Sequence, residues 1–206
     1  MLLLARRGGL DSLSVPVRAS QWGLMTVLVA CFLPPGDAGL RTFGLRMPTG
    51  STLVWAVMAC ALSLVASPVA MWFQKRASGA AAGPPALFDK IAGLSLGRRI
   101  FIVATASVVE EVLYRGYAIG AGRAVLGGVV PAAVLSLAVF VMAHFRGGAG
   151  HLSSVFWAGG VLTLLFIITN DLVACILAHA VLDAIGLIVA PVLLQRAGQR
   201  KRAEGA

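Results

Sequence analysis

Six apolar stretches, most of them close to the length of a membrane-spanning helix, dominate this sequence of 206 residues. They cover residues 20–33, 50–73, 99–121, 128–145, 152–169 and 172–194. A transmembrane helix needs about 20 predominantly apolar residues. Only 12% of the residues are charged, against roughly 25% in a soluble domain, so the apolar surface has to face lipid. The sequence therefore predicts an all-α, polytopic transmembrane helix bundle of about six spans.

Basic residues lie in the gaps between the apolar stretches and predict the orientation. With six spans, thirteen Lys and Arg residues fall on one side and three, Arg41, Arg46 and Arg123, on the other. Because basic loops stay in the cytoplasm, both termini are predicted to be cytoplasmic. Without the short first span the count is at best ten against six, so the bias favours that span. The net charge of +9 forms no single polar face, so no nucleic-acid partner is predicted.

The spans fall into two groups along the chain. Residues 1–96 hold two spans and a connector, residues 97–195 hold a core of four spans, and residues 196–206 form a basic cytoplasmic tail. Apolar residues recur at loosely helical spacing over 87–96 of the connector. This pattern suits either a short helix in the membrane interface or a loop.

Ionisable side chains are concentrated in the four-span core, where each costs roughly 2.5–3.5 kcal/mol to insert. They are Glu110, Glu111, Arg115, His144, His179 and Asp183. Ionisable side chains within a membrane usually face the bundle interior and mark a functional site. We therefore predict that these six residues form the functional site.

The spacing of these residues assigns partners to some of them. Glu111 and Arg115 are four residues apart, so they share a helix face and can pair. Glu110 points about 100° away and is left for another polar group. His179 and Asp183 are also four apart, which lets the carboxylate hold the imidazole ring or line the same cavity.

A carboxylate and two imidazoles from three helices, Glu110, His144 and His179, support hydrolysis by either of two routes. The three side chains can bind a divalent metal such as zinc that activates water. Alternatively, Glu110 acts as a metal-free general base while the histidines orient the water and stabilise the oxyanion. The residues leave both routes equally open.

Three motifs in this order, Glu110-Glu111-x-x-x-Arg115, Phe140-x-x-x-His144 and His179-x-x-x-Asp183, resemble the CAAX prenyl protease 2 family. This family is also called CPBP and includes bacteriocin-processing and Abi-type proteins. The resemblance covers about residues 97–190. It implies a membrane-embedded endopeptidase of glutamate or metallo type. In it Glu110 activates water, Glu111 and Arg115 support it, and His144 and His179 are the two family histidines.

One position departs from the family pattern. The residue four after the last histidine is most often Asn in the family, and here it is Asp183. An Asn amide can donate a hydrogen bond to an oxyanion, whereas an ionised Asp cannot. Asp183 is therefore expected to orient His179, to be protonated, or to contribute little.

Two other functions compete with the protease. One is a catalytically inactive membrane scaffold or immunity protein of the same fold, and the other is a proton-coupled transporter. Transporters usually show internal repeats and broken helices, and neither is visible. The small size without a targeting signal predicts a bacterial plasma membrane. The predicted partner is then a peptide or membrane-protein substrate rather than a prenylated CAAX protein.

The depth of the residues raises a geometric problem. Counted from the neighbouring turns, Glu110 lies about 15 residues deep and His179 about 8, a difference of roughly 10 Å. His179 reaches the level of Glu110 only if the Asn170-Asp171 turn is submerged or a helix is tilted.

Overall fold

A computed structural model of the chain describes residues 14–32, 36–78, 91, 93–145 and 148–193. Every regular element in these residues is helical. The predicted all-α class is therefore confirmed for the part of the chain that the structure describes. Most of the connector, for which the sequence allowed either an interfacial helix or a loop, and the predicted basic tail lie outside the described residues.

Each of the six predicted apolar stretches is helical over most of its described residues. The helices are α1 (Val15–Phe32), α2 (Asp37–Thr42), α3 (Gly50–Ser78), α4 (Leu96–Thr105), α5 (Val129–Ala143), α6 (Gly148–Thr169) and α7 (Leu172–Ala184). Helix α4 continues through π-helical turns at Ala106–Glu110 and Val112–Ala121, here called the π extension of α4, and α7 continues through one at Ile185–Val189. The short helix α2 was not predicted, and α1 begins at Val15 rather than at residue 20.

The outer surface of the bundle is apolar. Within the described residues, two helical stretches, His151–Thr169 and Leu172–Leu193, are long and apolar enough to cross a membrane. The apolar stretches Gly50–Val65 and Val129–Ala143 are shorter. Large hydrophobic side chains on several helices, such as Val57, Val130 and Ile168, are each roughly two-thirds exposed. Exposed apolar surface on this scale is typical of a contact with lipid or another protein.

Small residues allow the N-terminal half to dock closely on the π extension of α4. A Cβ atom at Gly120 would collide with the backbone carbonyl of Thr42. A Cβ atom at Gly116 would lie 2.9 Å from the ring of Phe43, which is itself fully buried. Because backbone cannot give way cheaply, these glycines set how near α2 comes to α4.

Asp171 connects the turn between α6 and α7 to the start of α3 and the segment just before it. Its Oδ1 accepts a hydrogen bond from the backbone N–H of Ala174 at 3.0 Å. Its Oδ2 accepts from Arg46 Nη2 and from Thr52 Oγ1, both at 2.8 Å. Asp171 is 0% exposed, whereas Asn170 beside it is half-buried. The buried carboxylate therefore anchors this end of α7.

Asp171 should make the stability of the folded protein depend on pH. Burial raises the pKa of this carboxyl, but the hydrogen bonds from Ala174, Arg46 and Thr52 outweigh burial and lower the pKa. A carboxyl with a lowered folded-state pKa stabilises the fold above its unfolded pKa of about 3.9, and this contribution is lost as the pH falls through the folded pKa. We expect Asp171→Asn to lower Tm at neutral pH and to differ less from the wild type in acid. Melting curves in detergent between about pH 7 and pH 3 measure this. A constant difference in Tm would contradict it.

Candidate active site

Glu110 and Glu111 lie where α4 widens into its π extension. π-Helical turns are rare and frequently occur at functional sites. The side chain of Glu111 is completely buried, whereas that of Glu110 is 18% exposed. The two neighbouring carboxylates therefore occupy different environments, as their spacing on a helix predicts.

Glu111 is the centre of a buried ionic network that joins three helices. Its Oε1 accepts hydrogen bonds from Arg115 Nη1 and from His179 Nδ1, each at 2.7 Å. Arg115 Nη2 in turn donates to the carbonyl of Gly159 at 2.8 Å. The predicted Glu111–Arg115 pair is present. Its link to His179, which connects α4 to α7, was not predicted.

Phe140 supports both this network and the neighbouring histidine. The guanidinium carbon of Arg115 lies 4.8 Å from the centroid of the Phe140 ring, a cation–π contact. Tyr114 meets the same ring edge-on at 5.0 Å. A Cβ atom at Gly159 would lie 2.8 Å from this ring, so a larger residue there would displace the ring. The ring thereby holds a fixed position beside the site.

His144 caps the end of α5 and faces Glu110. Its Nδ1 lies 2.8 Å from the carbonyl oxygen of Phe140. Since a carbonyl only accepts, Nδ1 carries the proton and donates it, and a neutral His144 then presents Nε2 as an acceptor. Nε2 lies 3.9 Å from Glu110 Oε2, which is beyond direct hydrogen-bond distance. A carboxylate and an acceptor nitrogen therefore face each other across a small gap.

His179 and Asp183 complete the cluster. Because Nδ1 of His179 donates to Glu111, its Nε2 is the nitrogen turned toward Asp183, at 3.6 Å from Oδ2. This distance is longer than a hydrogen bond. Glu110 also interacts electrostatically with both residues. The structure thus brings all six residues predicted for the site into one polar cluster, and their individual roles remain predictions.

Two further residues reach this cluster and were not predicted for it. Arg18 of α1 interacts electrostatically with Glu110 and Asp183. One turn later, Trp22 Nε1 donates to Thr105 Oγ1 at 3.0 Å and docks α1 on α4. The ring of His151 on α6 lies 5.7 Å from that of His144. The short sequence distance from His144 was a signal for His151, but nothing in the sequence indicates that α1 packs here.

The described side chains of the site are not arranged to bind a metal ion. Among the described residues, no group of three or more His, Cys, Asp or Glu side chains is arranged to hold one. Both histidines use Nδ1 elsewhere, His144 toward Phe140 and His179 toward Glu111, so each has only Nε2 to offer. One carboxylate and two imidazoles would be chemically suitable for zinc. The metal route nevertheless receives no support from this arrangement and stays a prediction.

Residues 93–185 match the family model described as type II CAAX prenyl endopeptidase Rce1-like. This segment is slightly less than half of the 206 residues, and through it the chain is similar to the Rce1-like family. The resemblance drawn from the three motifs is thereby confirmed. The Rce1-like family is a membrane-embedded family of proteases, which are hydrolases. No curated protein and no solved structure matches the chain significantly.

The Rce1-like segment contains all three motifs and runs from the residues before α4 into α7. Helices α1 to α3 lie outside it. Arg18, Trp22 and the Arg46–Asp171 contact therefore show how the N-terminal part of this chain meets its Rce1-like core.

Proposed function

We propose that the protein is an intramembrane endopeptidase in which Glu110 activates the attacking water. The observation that carries this proposal is the gap of 3.9 Å between Glu110 Oε2 and His144 Nε2. Both atoms are acceptors, so a molecule with two protons suits the space between them. A water that donates straight hydrogen bonds of about 2.7–2.9 Å to two acceptors holds them about 4.3–4.6 Å apart. Slightly bent hydrogen bonds therefore fit the 3.9 Å gap. Such a water has its lone pairs free for attack.

The proposed reaction needs one proton carrier. Glu110 removes a proton from the water as the water oxygen bonds to the carbonyl carbon of the peptide. The carbonyl oxygen becomes an oxyanion. Glu110 then returns the proton to the leaving nitrogen as the C–N bond breaks, which releases an amine and a carboxylic acid. His144 accepts the second hydrogen bond of the water and thereby orients it.

His179 is the proposed donor to the oxyanion. Glu111 holds its Nδ1, and Arg115 holds Glu111. As an imidazolium, His179 has an Nε2–H that is too far from Asp183, at 3.6 Å, to be fully used. A fixed donor aimed at developing negative charge is typically the largest catalytic contribution. Asp183 then acts by orienting His179, because an ionised carboxylate cannot donate to the oxyanion itself.

The proposed substrate is a peptide or the peptide segment of a membrane protein. Comparing the membrane peptides of host cells that express either the wild type or Glu110→Gln tests the activity directly. We expect fragments that only the wild type produces, and their new ends identify the cleaved bond. Identical peptide sets would instead favour an inactive membrane scaffold of the same fold. A quenched fluorescent peptide that carries the identified sequence then serves as the kinetic substrate.

A divalent metal such as zinc, bound by Glu110, His144 and His179, is the other proposed activator of the water. The two routes differ in one measurable property. Metal-free activation predicts full turnover of the fluorescent peptide after dialysis against a chelator. Loss of turnover that added zinc restores would favour the metal route.

We also propose that the chain spans the bacterial plasma membrane about six times, with both termini in the cytoplasm. The charge bias of thirteen against three supports this orientation. Reporter proteins fused at residues 1 and 206 should both give the cytoplasmic signal. A periplasmic signal at either terminus would contradict the proposed number of spans.

A further inference from the structure

His151 lies outside the three motifs, yet it meets one of their residues. It lies in the first turns of α6, and its ring centroid is 5.7 Å from that of His144, with the ring planes at 50°. His151 is half-buried and also interacts electrostatically with Asp183 on α7. It therefore borders the same polar cluster from a helix that carries none of the motif residues.

Among the described residues, His144 has few other restraints. It caps α5 at the last helical turn, with φ −101° and ψ 6°, and its side chain is 25% exposed. One hydrogen bond, from Nδ1 to the Phe140 carbonyl, holds the ring. The ring of Phe140 contacts it from the same helix, with centroids 4.8 Å apart. A ring held by a single hydrogen bond can still turn about that bond, and turning moves Nε2 relative to Glu110.

We propose that His151 is a positioning residue for the reaction: it packs against the His144 ring from α6 and keeps Nε2 directed at Glu110. This inference rests on the proposed function, because it assigns a purpose to the orientation of His144. A misplacement of about 1 Å at a catalytic group can cost on the order of a hundredfold in rate. The contact between the two rings, rather than the polarity of His151, is the property that this role requires.

Three substitutions separate ring packing from polarity. His151→Phe keeps a flat ring, His151→Gln keeps a polar group without the ring, and His151→Ala removes both. With the fluorescent peptide, we expect His151→Ala and His151→Gln to lower kcat about tenfold or more with KM unchanged. His151→Phe should keep at least about half of the wild-type kcat. Phe156→Ala, which removes an exposed ring from the same helix, is the matched control and should change little.

Each other outcome overturns the inference. If His151→Gln is active and His151→Phe is not, the polar group of His151 acts directly, and the ring contact is not what matters. If His151→Ala keeps full kcat, or if kcat falls only in proportion to a loss of folded protein measured by Tm, His151 does not position His144. Glu110→Gln in the same assay keeps the two proposals apart. Turnover by that variant would refute the proposed function, whereas its inactivity together with a fully active His151→Ala would refute the inference alone.

Discussion

Glu110→Gln should abolish turnover while the protein still inserts and folds. The Glu110 side chain is partly exposed to the site, and its nearest ionic partner, His144, is 3.9 Å away, so glutamine fits without leaving a buried charge unpaired. The amide cannot take a proton from water. Removing a general base typically costs about two to four orders of magnitude in rate. We therefore expect kcat to fall by at least about a hundredfold with Tm within experimental error of the wild type.

The matched control for this variant is Asp37→Asn. It makes the same chemical change at an exposed carboxylate in the first turn of α2, away from the site. Both kcat and Tm should be unchanged for this control. Normal cleavage by Glu110→Gln would show that Glu110 is not the base, and the proposed mechanism would fail.

Glu111→Ala should have the opposite profile, with stability lost together with activity. Glu111 accepts hydrogen bonds from both Arg115 and His179 inside the protein. Without it, the buried guanidinium keeps only the Gly159 carbonyl and the Phe140 ring, since Arg115 Nε has no hydrogen-bond partner among the described residues. Removing one member of a buried ion pair costs about 3–5 kcal/mol. A clear drop in Tm in detergent, with little turnover, is the expected result.

A double substitution separates the two effects of Glu111. In Glu111→Leu/Arg115→Met, both charges are replaced by apolar side chains, and such replacements are often neutral or stabilising. We expect Tm to recover relative to Glu111→Ala while turnover stays low, because His179 still lacks the acceptor that orients it. A stable, fully active double variant would show that Glu111 has no part in catalysis. If Glu110→Gln is unstable while Glu111→Ala is folded and inactive, the roles of the two carboxylates are reversed.

The local parts of the site could be predicted because they follow from helix geometry. Glu111 and Arg115 pair because residues four apart share a helix face, and the pair is present at 2.7 Å. Because a charged side chain is costly in hydrocarbon, the sequence also predicted that Glu110, His144 and His179 face the interior of the bundle and lie in one site. Both arguments need only the spacing along the chain and the apolar nature of the segments.

Contacts between distant segments could not be predicted in this way. Glu111 could have paired with Arg115 alone, and its second bond, to His179, depends on how α7 packs against the π extension of α4. Asp171 is not among the six residues predicted for the site, yet it binds Arg46 and Thr52 from a segment more than a hundred residues earlier. No periodicity in either segment encodes such a pairing.

The sequence by itself determined the all-α class and the apolar stretches that became helices, because hydrophobicity and helical spacing act locally along the chain. The resemblance to a protease family came from its three motifs. Tertiary structure alone decided which ionisable residues on different helices touch. It buried Asp171 and brought His179 within hydrogen-bond distance of Glu111, a contact that counting residues from the turns did not predict. It also brought His151 and Arg18 to the site, since side-chain packing between helices depends on shapes and distances that one-dimensional patterns do not contain.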